Sequence, residues 1–333
     1  MNKLLYKYFQ DNNNNIHEFN IIKDVSVIDI LKNTAIDKVN LNHVSKYKYD
    51  KIICTCANVD LNIYIPIDTI DEDLDELLYN ICNITVKLRY LSRSEKFIDT
   101  HIFLIDNPKL IPESSNIILG QSHINSAYTL FTKTSNDIYM WRKEEVLKVF
   151  IHELLHALDF CSAIVPQRSY DFHRYFSLHS KNLYFGEAYV EFYATLINIL
   201  LIADNYSMVE SMIKREQKHS IYQAAKILRY YTIYNFNDIY IKKDKLFKED
   251  TNVFMYYIIK SIILYKYNTI LNICNKYGRN HLLDISPKND NFTKDLFNEV
   301  FAILDTTKYI SHINKLLNDA TNQDTSLRMT VFG

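Results

Sequence analysis

The most chemically suggestive run in the sequence is IHELLHALDF, residues 151–160, which carries His152, Glu153 and His156. On an α-helix, side chains at i and i+4 share a face, so the two imidazoles come close enough to hold one ion. Glu153 is rotated by about 100° from His152, which lets it address a water on the metal instead of the metal itself. This HExxH spacing suits metal-assisted hydrolysis with Glu153 as general base. At this chain's His and Glu content, a chance match is expected on the order of 0.02 times per sequence. The flanking residues sharpen the signal. Val146, Leu147, Val149, Phe150, Ile151, Leu154, Leu155, Ala157 and Leu158 are apolar nearly all round a helix predicted over about 143–160. Such a helix belongs in a domain centre, where polar residues need a partner or a task; two histidines on a solvated face would read differently.

A tetrahedral zinc site takes a third protein ligand and leaves its fourth position to water. The metzincin extension would place Gly three residues after the second His and another His three further on. Asp159 and Ser162 stand there instead, which excludes that subclass. Downstream, FGEAYVEFYATL offers Glu187 and Glu191 on a second helix-like stretch. Being four apart they share a face, so spacing alone leaves them competing.

Through these residues the chain resembles the gluzincins, zinc peptidases in which a downstream helix gives a glutamate ligand. GEAYVE is similar to the thermolysin-type NEAxxD, and anthrax-lethal-factor-like members carry the ligand in a similarly acid-rich, aromatic stretch. The resemblance implies one Zn2+ held by His152, His156 and Glu187, with Glu191 hydrogen-bonding a ligand histidine. Gly186 replaces the Asn and Glu191 the final Asp, which leaves open an exchange of roles between Glu187 and Glu191. The small Gly186 and Ala188 favour Glu187, since they let its helix approach the metal. Asp159, one turn after His156, is a further candidate for orienting a histidine, or for a helix-end salt bridge. His173 and His179, between the motif halves, are alternative ligands.

The resemblance also implies an edge strand ahead of the active helix, to which extended substrate adds as one more strand. QSHINSAYTLF, Gln121 to Phe131, is the candidate, with Asn125 and Ala127 as substrate contacts; an ordinary edge strand is the plain alternative. Gluzincins stabilise the oxyanion with a Tyr or His away from the motif. Tyr184, just before the ligand helix, is taken for that part, with Tyr189 and Tyr193 nearby. The resemblance covers about residues 116–200, and its functional implication is a zinc metallopeptidase acting on a peptide or protein substrate. Two rivals stand beside it: an inactive zincin kept as a binding or structural protein, viral or toxin-like, and a helical interaction protein with an accidental HExxH.

The elements that must position these residues read as α+β. Lys51–Cys56 and Asn62–Pro66 look like strands paired around a turn at Asn58–Asp60, and a helix opened by Asp68 or Thr69 follows with Leu74, Leu77, Leu78, Ile81, Ile84, Leu88 and Leu91 on one stripe. Strand-like runs come next at Phe97–Ile105, Asn116–Leu119, Ala127–Thr132 and Asp137–Trp141. Beyond Asn205 the pattern is helical: Ser207–Tyr231, Thr251–Tyr277 stopped by Gly278, and Phe292–Leu317. The expected organisation is an N-terminal segment over 1–45, a zincin-like catalytic domain over 46–204 (mixed sheet, backing helix, active-site helix), and a helical domain over 205–333 closing the cleft.

Composition narrows the classes further. The chain has 333 residues, 38 Lys plus Arg against 39 Asp plus Glu, and a net charge of -1, which gives no general nucleic-acid surface. With 4 Gly, 5 Pro and 5 Cys, collagen-like and disulfide-scaffold classes are excluded. The odd, scattered cysteines suit a reducing compartment, and Cys54 and Cys56 read as small apolar residues on one strand face. Lys7 and an Asn tract break the apolar N-terminal run, so no signal peptide is expected, and Lys260, Lys266 and Asn268 make residues 253–274 a buried helix instead of a membrane span. An intracellular, cytoplasmic setting follows. The abundance of Asn, Ile, Lys and Tyr tracks A/T-rich codons, as in a large DNA virus, an intracellular parasite or a low-GC bacterium.

Overall fold

The computed structural model describes the chain except residues 1, 11–18, 33, 68, 70–73, 93, 181–182, 242–246 and 320–323. At its centre is a mixed sheet of six strands: β1 (Asn20–Val25), β2 (Tyr49–Cys56), β3 (Val59–Pro66), β4 (Phe97–Phe103), β5 (Ala127–Phe131) and β6 (Ser135–Met140). Their order is β1-β2-β3-β4-β6-β5. The first three form an antiparallel meander, β3, β4 and β6 run parallel, and β5 returns antiparallel beside β6 as an outer edge. The β2–β3 hairpin turns on Ala57 and Asn58, both left-handed at φ 49° and 62°. A two-residue turn of that hand matches strand twist and lies one residue earlier than the expected Asn58–Asp60.

The parallel step from β3 to β4 requires a crossover, which α1 (Leu74–Leu91) supplies. Its Leu78, Ile81, Ile84 and Leu88 are buried at helical spacing. Of the two expected caps, Asp68 lies outside the described residues. Strand alternation divides the sheet between two cores. Leu61 and Ile63 face the one shared with α1 and α2 (Val146–Ala157), whereas Tyr64 joins Tyr49, Phe103 and Trp141 on the other face, under the short helices Ile28–Leu31 and Lys38–Val44.

Helix α3 (Phe185–Ile202) lies along α2, and α4 (Tyr206–Tyr230) and α5 (Lys260–Tyr265) pack beyond it. Among the described residues α3 alone is long and apolar enough to cross a membrane, and 83% of it is buried inside the protein. The helix expected over Thr251–Tyr277 is broken. Phe254–Ile259 is π-helical, α5 continues it, and Lys266 (φ −99°, ψ 22°) separates α5 from Tyr267–Tyr277. Residues 292–317 likewise divide into Asp290–Phe301 and Thr307–Leu317 around a tight turn at Ala302–Asp305. Gly278 ends its helix at an ordinary φ of −68°. A Cβ there would lie 2.6 Å from the His281 carbonyl oxygen, so close approach, not left-handed freedom, calls for glycine.

Asn116–Leu119 is not a strand. Leu119 makes a single bridge to Glu249, and the backbone is satisfied by α4 side chains: Tyr230 donates its hydroxyl to the Ser114 and Ile117 carbonyls (2.7 and 2.6 Å), and Leu119 N–H donates to the Tyr231 hydroxyl (3.2 Å). The expected edge strand is also shorter than its sequence run. Gln121–Ile124 is a helical turn, and only Ala127–Phe131 is extended. The lead-in is fixed by Arg142, whose buried guanidinium donates to the carbonyls of Ser122 (2.8 Å) and Asn125 (3.1 Å).

Candidate metal centre

Helix α2 runs between two left-handed residues, Glu145 (φ 59°) and Asp159 (φ 65°), and is held by burial, since half of its residues are only middling helix formers. Phe150, Ile151, Leu154 and Leu155 are almost wholly buried, each contributing roughly 1.5–3 kcal/mol of apolar burial. That packing holds His152, Glu153 and His156 in the interior, where all three are also buried. Helix α3 crosses beside them and brings Glu187 and Glu191.

His152 Nε2, His156 Nε2 and Glu187 Oε2 form a nearly equilateral triangle: 3.2 Å between the histidines and 3.3 Å from each to the carboxylate. Ligand bonds of 2.0–2.1 Å in a tetrahedron give ligand–ligand edges of about 3.3 Å. Among the described residues this trio is the one group of three His, Cys, Asp or Glu that converges so closely. The orientation of the His152 ring strengthens the case. Glu191, fully buried, lies 2.5 Å from Lys148 and 3.4 Å from Lys260. Although burial works against its charge, these cations and His152 hold its carboxyl well below the usual range. An ionised carboxylate only accepts, so His152 Nδ1–H donates to Glu191 Oε2 (2.9 Å), and Nε2 is the nitrogen directed at the triangle. Against burial, Glu187 raises the pKa of both histidines, so its carboxylate balances the positive charge at the place a bound cation would take. A zinc ion suits this donor set.

Glu153 stands off the triangle. Its carboxylate accepts the Thr129 hydroxyl of β5 at 2.8 Å, and burial, only partly offset by the two histidines, raises its pKa, as suits a group that takes and returns a proton. The cleft above has a volume of about 230 Å³ and runs between β5 (Ala127, Thr129, Phe131) and the segment Thr251–Tyr256, with the trio on its floor. Asn125 and Ala127 both line it; Asn125 sits in the connector before β5 and its side chain accepts from Thr251 (3.2 Å).

Two of the expected residues, Tyr184 and Asp159, make contacts away from the triangle. Tyr184 caps α3 with its ring over Gly186, where a Cβ would overlap it, and its hydroxyl bonds Cys161. Gly186 therefore makes room for this tyrosine, not for the metal. The hydroxyl that does reach the cluster is that of Tyr256, donating to Glu187 Oε2 at 3.0 Å. Burial and Glu187 push its pKa far up, which keeps it a donor. Asp159 is exposed and lines a neighbouring hollow with Lys96, while the His156 ring bonds Cys161. His173 and His179 are exposed and outside the trio.

Tyr256, Thr129, Lys148 and Lys260 are functional candidates the sequence reading missed. Lys148 left a signal: a lysine four residues before His152 on an otherwise apolar helix needs a buried anion. Comparison with protein-family models, curated proteins and solved structures gave no match for this chain.

Proposed function

We propose that the chain is a zincin-type zinc metallopeptidase. The observation that carries the reading is the triangle of His152, His156 and Glu187, whose edges of 3.2–3.3 Å suit tetrahedral zinc, with Glu153 free of it and facing the cleft. When bound, zinc supplies a Lewis acid that polarises a carbonyl and lowers a water's pKa to about 7. Glu191 accepts from His152 Nδ1–H and fixes that ring. An extended peptide adds to the free edge of β5, as it would to any exposed strand edge. Glu153, oriented by Thr129, takes a proton from the attacking water and passes it to the departing amine. Tyr256, held neutral, is the donor available to the carbonyl oxygen as charge gathers on it.

Metal analysis and a peptide-library assay test the reading together. Purified protein is expected to carry about one zinc, lost in His152→Ala and His156→Ala. Glu153→Gln is expected to keep the metal and lose hydrolysis, because it removes a base and no ligand. Stoichiometric zinc without cleavage by the wild type would make the chain an inactive zincin-type binder, and absence of zinc would sink the site altogether.

A further inference from the structure

A second, smaller hollow opens beside the cleft, against His152 and Glu153, with a volume of about 30 Å³. Ile124, Ala127, Val149 and Met329 line it together with the buried Lys109, Lys148 and Glu191. A chain paired with β5 over Glu153 would direct one side chain adjoining the scissile bond into this space. At about 10–15 Å³ per water-sized group, the hollow admits two or three non-hydrogen atoms. That space suits the side chains of Ala, Ser, Thr and Val better than those of Leu and Phe. Its two ammonium groups are already engaged, Lys148 with Glu191 and Lys109 with Glu145, so an acidic side chain finds no spare cation there.

Met329 is far from the motif in sequence, yet its sulfur lies 3.8 Å from Lys148 Nζ. Its backbone is held on both sides. Lys260 donates to the Met329 carbonyl, Tyr257 to the Leu327 carbonyl (2.6 Å), Thr330 N–H to Glu145 (2.5 Å), and the Thr330 hydroxyl to Glu216 (2.8 Å). The opposite walls belong to α2 and the lead-in of β5, which the sheet core fixes. The thioether is therefore the part of the wall that a substitution can remove while leaving ligands, base and buried ion pairs in place.

We infer that Met329 sets substrate specificity by limiting one residue beside the scissile bond to a small, uncharged side chain. The inference rests on the peptidase reading above. Its test uses peptidyl hydroxamates, which chelate zinc, carrying Ala, Leu or Phe next to the chelating group, with binding to zinc-loaded protein measured by calorimetry. The wild type is expected to bind the Ala compound roughly tenfold or more tighter than the Leu compound, since a misfit methylene in an apolar pocket costs about 10–200-fold. Met329→Ala should tighten the Leu compound by roughly tenfold and leave the Ala compound within a few-fold, with the same change in a cleavage profile. Met329→Val, a milder change, should move the ratio in the same direction if Met329→Ala does not fold. Equal binding of Ala and Leu compounds by the wild type, or an unmoved ratio in the variants, overturns the assignment. In that event continued cleavage leaves the peptidase reading standing, whereas no zinc and no hydroxamate binding removes both.

Discussion

Lys148→Met tests the buried scaffold behind His152 most directly. Lys148 Nζ lies 2.5 Å from Glu191 Oε1, and both side chains are 1% exposed. Removing one member of a buried pair strands the other charge and typically costs about 3–5 kcal/mol. Lys260 at 3.4 Å and His152 at 2.9 Å still face the carboxylate, so the lower end, about 3 kcal/mol, is expected. In urea unfolding of metal-free protein this is a midpoint lower by roughly 1 M. The double variant Lys148→Met, Glu191→Leu removes both charges and should recover most of that loss, because an apolar pair in place of an ion pair is close to neutral or better. Zinc affinity, read by chelator competition, should move the other way. Without Glu191 the His152 Nδ1–H loses its acceptor, and affinity falls roughly 10–100-fold. A loss under about 1 kcal/mol in the single variant, or a double variant no more stable than the single, would refute the pairing.

Three further outcomes follow from the same geometry. Glu187→Ala should weaken zinc binding more than Glu191→Ala, since it removes a corner of the triangle and not the support of one ring; affinities in the reverse order would transfer the ligand role to Glu191. Tyr256→Phe should lower kcat by roughly 10²–10³-fold with zinc still bound, the usual loss for a donor to a developing oxyanion, and a rate near wild type removes that part from Tyr256. Glu249, which accepts Phe254 N–H at 2.6 Å, is pushed up to about 7 by burial, against hydrogen bonds from Ser180 and the backbone. A folded pKa above the unfolded one gives stability that is full below about pH 4.5 and lost as pH rises through 7, here roughly 3 kcal/mol, and Glu249→Gln should flatten that part of the urea-midpoint profile.

Legibility in the sequence followed the range of the interactions. Helix α1 announced itself because Leu78, Ile81, Ile84 and Leu88 repeat at the helical period, and β2 and β3 because they flank a short turn. Asn116–Leu119 misled because Ile117, Ile118 and Leu119 look like a strand, while the Ile117 carbonyl and Leu119 N–H are met by the hydroxyls of Tyr230 and Tyr231 at the end of α4, more than a hundred residues away. The π-helical turn at Phe254–Ile259 was equally hidden: the apolar run around it fits a plain α-helix, and the extra residue per turn has no signature in a single sequence.

The site divides along the same line. His152, Glu153 and His156 could be read from four residues of spacing, and the pair Glu187 and Glu191 from the same periodicity, because each set lies within one helix. Choosing between the two glutamates required knowing which of them meets Lys148, and that pairing spans two helices. The sequence did hold half of the answer. A lysine at 148, four before His152 on an otherwise apolar helix, demands an anion at the depth of the HExxH face, and the acid that neutralises it is ill suited to be the metal ligand as well. Glu191 meets that demand, with Lys260 as a second cation, which leaves Glu187 to complete the triangle. A buried lysine one turn before an HExxH motif is therefore a sequence-level reason to assign the more deeply buried downstream acid to the histidine's Nδ1, and its partner to the metal.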